Sequence, residues 1–320
     1  MKTALIAAVT ISLAGCGALP QAREATPASN IAPESRAAAG RSTDLLYAAG
    51  QNLGYVFTYP AGKFVGSFRL RIDRQRGNAN GLCSDSKGNV FVTVFSASFV
   101  KIFEYAHGGT KPIAELGDPV PTPIGCASDP TSGDLAVTNS FPTEGLESVA
   151  IYKGEQGKAK LYYPIPELGV LAFCAYDNAG DLFVDGEKRR NGRFALAELP
   201  NGSGTFQMIT VKGLDTRKPG NLEWVGNYLT VTVPTVHKIY ALRISGTSGT
   251  IVGTTELQRW DTRTIVQSWI DGNRVIAPRG LANKTIAFWN YAQGGKPITT
   301  LRDFATGSIA GVTVSGAQAR

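Results

Sequence analysis

The sequence predicts an all-β chain that folds, over residues 44–320, as a six-bladed β-propeller of four-stranded antiparallel blades. The first observation is a hairpin pattern that recurs six times, as in IFEYAHGGTKPIAEL (102–116) and FWNYAQGGKPITTL (288–301). Its last loop glycine returns every 45 to 48 residues, at Gly62, Gly109, Gly157, Gly204, Gly249 and Gly295. Repeats of about 40 to 50 residues with four strands each are typical of propellers. The second observation is composition, because 37 glycines in 320 residues and only 18% charged residues favour many tight turns over a coiled coil or disorder.

A second hairpin lies between successive copies of the first. It is clearest in GLCSDSKGNVFVTV (81–94), GCASDPTSGDLAVTN (125–139) and FCAYDNAGDLFVDG (173–186), and weaker at 222–233 and 268–278. In the clear copies, Asp85, Asp129 and Asp177 are each followed within a few residues by Gly-Asn or Gly-Asp. This order suits a short hairpin loop, because glycine takes the left-handed conformation at little cost. We therefore predict turn-forming aspartates and four strands in each repeat.

The two ends of the repeat region predict how the ring closes. The first repeat begins at DLLYAAG (44–50) without an innermost strand, and an extra strand, SIAGVTVS (308–315), follows the last hairpin. We expect this C-terminal strand to join blade one, because pairing the two chain ends removes the unpaired edges that an open array would leave.

The N-terminus predicts export and a lipid anchor. Residues 1–15 carry Lys2 and then an apolar run from Ala4 to Ala14, the order of a secretory signal peptide, and the run is too short to span a bilayer. Leu13-Ala14-Gly15-Cys16 resembles the bacterial lipobox, which implies lipidation of Cys16. Gly17 after it, by resemblance to Gram-negative lipoproteins, favours the outer membrane, at the cell surface or in the periplasm. Residues 16–43 have almost no large apolar side chain, so we expect a flexible tether.

The repeats resemble the NHL-repeat and gluconolactonase-like group of six-bladed propellers, through GLCSDSKGNVFV, PIGCASDPTSGDLAV, FCAYDNAGDLFVDG and the Tyr-x-x-Gly-Gly-x-Lys-Pro hairpins. More narrowly, they resemble uncharacterised exported bacterial proteins of that group. Calcium-dependent lactonases of the group bind metal through an early Glu, central Asn residues and a late Asp. The matching Glu motif and Pro-Asp-Gly motif are missing here, and Ala277-Pro278-Arg279-Gly280 stands near the place of the latter. Asn80, Asn139 and Asn221 remain candidates for the channel, but we predict no metal site and no cofactor.

Few residues suit acid–base catalysis near neutral pH. The chain has two histidines, of which His107 lies in a hairpin turn and His237 at a connection where propellers often hold ligands. His237 has no carboxylate or cysteine near it in sequence, and the sequence yields no Ser-His-Asp triad or zinc site. We assign no catalytic residue and keep His237 as a candidate ligand contact.

The connections between second and third strands, and between blades, share one face of a propeller and are the longer loops here. Binding residues concentrate in such loops on rigid scaffolds. Lys188, Arg189, Arg190 and Arg193 form a tight basic cluster there, and Trp260 lies in a blade-to-blade connection where it could stack on a ligand. A net charge of +7 suits an anionic partner, but no nucleic-acid motif accompanies it.

Three cysteines follow Cys16, an odd number in an exported chain. Aligned on the hairpin glycines, Cys126 and Cys174 share one position and Cys83 lies one residue later. Because neighbouring strand positions point to opposite faces, Cys83 and Cys126 can meet between blades while Cys126 and Cys174 cannot. We predict a Cys83–Cys126 disulfide and a buried free thiol at Cys174, with three reduced core cysteines as the alternative.

These features predict an envelope-anchored lipoprotein that acts as a non-catalytic propeller and binds an anionic ligand or protein at the cell envelope. The alternatives are a calcium-dependent lactonase or hydrolase of the propeller type and a structural partner within a larger envelope complex.

Overall fold

The computed structural model describes residues 43–72, 74–140, 147–163, 166–214, 216–218, 220–260, 266–279, 284–302, 304 and 308–317. The predicted signal peptide, Cys16 and almost all of the predicted tether lie outside these residues. The described chain is all-β, with 26 strands and two short 3-10 turns at Lys153–Glu155 and Pro234–Val236. Within the described residues, no helix has the length and apolar character needed to cross a membrane.

Twenty-four of the strands form six sets of four, which we number as units 1 to 6. Three of the four strands of unit 1 are β1 (Leu45–Gly50), β2 (Leu53–Thr58) and β3 (Phe64–Arg69). Unit 2 comprises β6 (Asn78–Ser84), β7 (Val90–Phe95), β8 (Val100–Tyr105) and β9 (Ala114–Gly117). Unit 3 comprises β10 (Pro123–Ser128), β11 (Leu135–Asn139), β12 (Ser148–Tyr152) and β13 (Lys160–Tyr162). The short strands β4 (Arg71–Ile72) and β5 (Gln75–Arg76) pair in the connection between units 1 and 2.

Units 4, 5 and 6 follow the same order. Unit 4 comprises β14 (Leu168–Tyr176), β15 (Leu182–Lys188), β16 (Phe194–Leu199) and β17 (Gln207–Lys212). Unit 5 comprises β18 (Leu222–Val225), β19 (Tyr228–Val233), β20 (Lys238–Ser245) and β21 (Ser248–Glu256). Unit 6 comprises β22 (Trp269–Asp271), β23 (Arg274–Pro278), β24 (Ile286–Asn290) and β25 (Gly294–Leu301). Units 4 and 5 merge into one eight-stranded sheet, because β17 pairs in parallel with β21.

The last strand, β26 (Ile309–Ser315), pairs antiparallel with β1 and gives unit 1 the order β26-β1-β2-β3. The register aligns Leu45 with Ser315 and Ala49 with Gly311. The pairing that the sequence predicts between the two ends of the repeat region is therefore present in the fold.

The core lies between the units. First strands contact one another in the order β26, β6, β10, β14, β18 and β22, and β22 contacts β26. The described apolar residues form clusters that each join two successive units, including one between unit 6 and unit 1. Second strands such as β1 and β7 are almost entirely buried, whereas the outer strand β3 is mostly exposed. Strands covered on both faces carry continuous apolar runs, which accounts for VFVTV in β7.

Polar side chains on second strands join unit 2 to unit 3 and unit 3 to unit 4. Thr93 Oγ1 accepts a hydrogen bond from Gly81 N (2.9 Å) and donates one to Ile124 O of the next unit (2.8 Å). Thr138 Oγ1 does the same with Gly125 N (2.9 Å) and Ala172 O (2.7 Å). In unit 4 this position is Asp185, whose Oδ1 accepts from Phe173 N (2.8 Å). Burial raises the pKa of Asp185 well above its usual range, which disfavours the ionised carboxylate at this position.

The predicted turn roles of the aspartates are confirmed. Asp85 Oδ1 accepts from Lys87 N (2.9 Å) and Asn89 N (2.7 Å), and Asp177 Oδ1 accepts from Ala179 N (2.8 Å) and Asp181 N (2.9 Å). Asp129 Oδ1 accepts in the same way from Thr131 N (2.8 Å).

The predicted disulfide is also confirmed. Cys83 of β6 is bonded to Cys126 of β10, with Cα atoms 5.6 Å apart, and Cys174 is a buried free thiol. The bond fastens units 2 and 3 at their first strands. Burial raises the pKa of the Cys174 thiol far above its usual value, which makes it unreactive in the folded chain.

Candidate functional site

The antiparallel order of the strands gives the molecule two faces. We call the one with the turns from first to second and third to fourth strands the hairpin face, and the one with the longer connections the link face. A cavity of about 450 Å³ opens where the first strands begin, at the link face. It is lined by Asn78, Asn80, Ile124, Val170, Phe173 and Ala310 among others.

A smaller cavity of about 160 Å³ lies where the first strands end, at the hairpin face. Its lining includes Glu223, Trp224 and Trp269, together with Tyr176. Glu223 Oε2 accepts a hydrogen bond from Ile270 N (2.8 Å), and burial raises the pKa of this carboxyl well above its usual range. The cavity is therefore bounded by aromatic rings and by a carboxyl whose ionised form is disfavoured.

Gln267 bounds this smaller cavity and joins three units. Its backbone N–H donates to Ala310 O of β26 (2.9 Å), and its side chain passes over Gly311 to bond both the N–H and the carbonyl of Leu82 in β6. A methyl group at Gly311 would lie 2.9 Å from Gln267 Oε1, so a glycine is needed for this crossing. Sequence reasoning missed Gln267, because it lies outside the repeated hairpins.

Two of the three asparagines proposed for the channel reach the axial cavities, at opposite ends. Asn80 Nδ2 donates to Pro123 O (2.6 Å) beside the larger cavity, and Asn221 Nδ2 donates to Ser268 O (2.8 Å) beside the smaller one. Asn139 is fully buried and is aligned with Ser148 on the next strand. Among the described residues, no group of three or more His, Cys, Asp or Glu side chains could hold a metal ion.

The predicted basic cluster lies on the link face, in the connection between β15 and β16. All four residues are exposed, and Arg189 also makes contacts within the fold. Arg189 Nη2 contacts Glu147 Oε2 (3.1 Å) and Leu168 O (3.1 Å), and the Glu147 side chain is 5% exposed. The role of Arg189 as a ligand contact stays a prediction, while its ion pair is a property of the fold.

Two further cations from the connection between units 4 and 5 lie beside this loop. Phe194 N donates to Thr216 O (2.8 Å), which brings Arg217 and Lys218 against the loop. A methyl group at Gly192 would lie 3.5 Å from Glu187 Oε2 and 3.8 Å from Arg217 Nη1. We call the exposed cations of the two connections the basic rim: Lys188, Arg190, Arg193, Arg217 and Lys218.

Sequence reasoning missed Arg217 and Lys218, because it counted both signs of charge in similar number over the loops of this face and singled out only cations adjacent in sequence. The signal that could have found them is their position. Both lie in the connection that leaves the same repeat as the 188–193 loop, on the same face.

A cavity of about 440 Å³ opens beside Lys188 and Arg193, between β16 and β17. We call it the unit 4 cleft. Its lining includes Glu167, Phe194, Leu196, Met208, Thr210 and Leu214. The lining combines apolar side chains with the cations Lys188 and Arg193.

The other two predicted ligand contacts lie elsewhere. His237 is exposed and follows the 3-10 turn of unit 5 on the link face, with its backbone N–H donating to Pro234 O (3.1 Å). Trp260 is completely buried, and its Nε1 donates to Pro278 O (2.8 Å) while its ring packs on Trp289. The prediction of a stacking surface at Trp260 is therefore wrong, since both the ring and its N–H are used within the core.

Comparisons with known proteins show the fold and no closer relationship. No protein-family model matches the chain, and no curated protein matches its sequence. Among solved structures, the chain is similar to one chain of a nidogen/laminin complex, with 14% sequence identity and a TM-score of 0.63. The match covers 87% of this chain and all of that one. At this identity the likeness concerns architecture alone, and it supports a β-propeller-type fold for the all-β chain described above.

Proposed function

We propose that this chain is a six-bladed propeller closed by β26, and that it binds an anionic protein partner on its link face without catalysing a reaction. The continuous contacts among the first strands and the clusters between successive units support six blades and closure. The single observation that carries the binding function is the basic rim, in which two successive connections bring five exposed cations to one side of a rigid scaffold.

Protein binding is favoured by the fold and by the form of the site. The similar solved structure is a complex of nidogen with laminin. Connections on rigid scaffolds carry binding residues more often than the elements they join. Among the residues that the structure describes beside the rim, Glu167 and Glu187 are the acidic ones, two against its five cations.

We further propose that the chain is an exported lipoprotein held by Cys16 at the outer membrane or cell surface. This proposal rests on Leu13-Ala14-Gly15-Cys16 and on the polar composition of residues 16–43. A tether of that length lets the link face search the space beside the membrane for its partner.

The test compares two triple variants with the parent chain for binding to polyglutamate, a soluble anionic polypeptide. K188S/R190S/R193S removes three cations of the rim and leaves Arg189 with Glu147. K101S/K111S/K158S removes the same charge from other places and is the matched control. We expect the rim variant alone to bind more weakly, with an unchanged melting temperature. Binding of the parent should fall as salt rises past roughly 0.15 M, where the screening length is about 8 Å.

Two outcomes would replace this proposal. Equal weakening in both variants would show a general charge effect without a site on the link face. Calcium-dependent hydrolysis of a lactone by the parent would favour the enzyme alternative.

A further inference from the structure

The unit 4 cleft exists because the outer strand of unit 4 leaves its own sheet. β16 and β17 are paired only from Leu196–Glu198 to Gln207–Ile209. From Thr210 onward β17 instead runs parallel to β21, with Val211 aligned with Gly249. A methyl group at Gly249 would lie 3.0 Å from Val211 Cγ2, so glycine allows this close approach. The departure opens unit 4 next to the link face.

Apolar residues line this opening: Met208 and Val211 are half-buried there, while Phe194 and Leu196 are buried. Phe194 has no partner on β17, and its N–H bonds Thr216 O across the mouth of the cleft. The space of about 440 Å³ falls within the range of roughly 300 to 1,000 Å³ found for ligand pockets. Met208 and Leu196 contribute to its interior, and the exposed residue Thr210 stands at its edge.

The charges at the mouth indicate what kind of ligand fits. Lys188 and Arg193 line the cleft, while Arg190, Arg217 and Lys218 continue the basic rim beside it. A fatty acid has one carboxylate on an apolar tail, so it can pair with one cation. A peptide segment with several carboxylates can pair with cations on both connections, and one of its apolar side chains can enter the cleft.

We propose that the unit 4 cleft binds an acidic segment of the partner protein, with an apolar side chain of that segment inserted between β16 and β17. This inference rests on the proposed function of the link face. It adds a requirement that charge alone does not impose, namely an apolar residue beside the carboxylates.

Met208 provides a direct reporter, because the chain has only two methionines and the other is Met1, in the predicted signal peptide. The full chain, labelled with ¹³C at its methionine methyl groups, is titrated with the acetylated peptide amide Asp-Leu-Asp-Leu, and M208L assigns the resonance. We expect the Met208 methyl resonance to shift. The peptide Asp-Ser-Asp-Ser has the same charge and should bind about tenfold more weakly, since it buries no leucine.

Three variants separate the contributions of charge and cleft. K188S/R193S should abolish the shift, whereas K111S/K158S, which removes two exposed cations from the hairpin face, should leave it unchanged. Thr210→Trp keeps the charge and fills the cleft from its exposed edge, so it should remove the preference for leucine over serine. Thermal melting of each variant checks that the fold is retained.

The inference is wrong if Met208 does not respond, if both peptides bind equally, or if decanoate shifts Met208 at lower concentration than the leucine peptide. The last result would identify the site as one for lipid carboxylates. These results differ from failure of the proposed function, which appears as polyglutamate binding that is insensitive to K188S/R190S/R193S.

Discussion

Arg189 and Arg190 are neighbours in one loop, but their guanidinium groups have different surroundings. Arg189 contacts Glu147 and two backbone carbonyls, those of Pro166 and Leu168, whereas Arg190 is exposed. Removing Arg189 leaves the buried Glu147 carboxylate without this cation, which costs about 1 to 3 kcal/mol. We expect Arg189→Ser to lower the melting temperature by several degrees and Arg190→Ser to change it little. Equal melting temperatures for the two variants, measured by calorimetry, would contradict this assignment.

Asp118 should make stability depend on pH. It follows β9 in the connection between units 2 and 3, and desolvation raises its pKa to about 6, partly offset by a hydrogen bond from Val120 N (3.0 Å) and by Asn139 nearby. Because the pKa is raised in the folded state, the ionised carboxylate opposes folding. This loss of stability is absent below about pH 4 and complete above about pH 6.

Asp118→Asn removes the ionisation and keeps an oxygen to accept from Val120. We therefore expect the variant to gain about 1 to 3 kcal/mol over the parent at pH 7, and nothing at pH 3.5. Urea unfolding at both pH values measures the difference. A gain that is the same at both values would point to packing as its cause.

At the scale of elements, β26 is the strand that joins the two ends of the repeat region. It pairs with β1, contacts β6 and β22, and places Ile309, Val312 and Val314 in the apolar cluster between units 6 and 1. Removing residues 308–320 uncovers that cluster and leaves β1 with an unpaired edge. We expect the truncated chain to lose cooperative unfolding and to aggregate. A truncated chain that melts like the parent would refute closure through this strand.

The parallel pairing of β17 with β21 is the element-scale departure from the predicted pattern. The repeat predicts a β17 that stays in its own hairpin, since ALAELPNGSGTFQMI (195–209) matches the other copies. The residues that leave the sheet, Thr210 to Lys212, follow that match. The repeated hairpin pattern thus ends where β17 begins to pair with β21 of the next unit. The unit 4 cleft lies where this change occurs.

At the scale of the whole molecule, the proposed anchor and the proposed binding face act together. We expect Cys16→Ser to abolish labelling with a radioactive or clickable fatty acid and to release the chain from the membrane fraction, because acyl chains supply attachment at about 0.8 kcal/mol for each buried methylene. Binding to polyglutamate should be unchanged, since residue 16 lies outside the repeats. Lipid labelling that survives the substitution would remove the lipoprotein proposal.

The sequence by itself determined the features that depend on local periodicity. The hairpin turns at Asp85, Asp129 and Asp177, the strand content and the pairing of the two chain ends follow from a repeat in which each copy has the same strands and turns. The Cys83–Cys126 bond could be predicted for the same reason, because alternation along a strand fixes the side to which each thiol points.

Only the tertiary structure decided which residues of the irregular connections are buried and which meet. Trp260 and Arg189 lie in connections, where no periodicity assigns a side chain to core or solvent. Trp260 is buried and donates to Pro278 O, and Arg189 contacts Glu147. Arg217 joined the basic rim, and Gln267 reached Leu82 across β26, through contacts between segments far apart in sequence. Such contacts depend on how whole units pack. A connection of a given sequence is buried or exposed according to whether a neighbouring unit covers it.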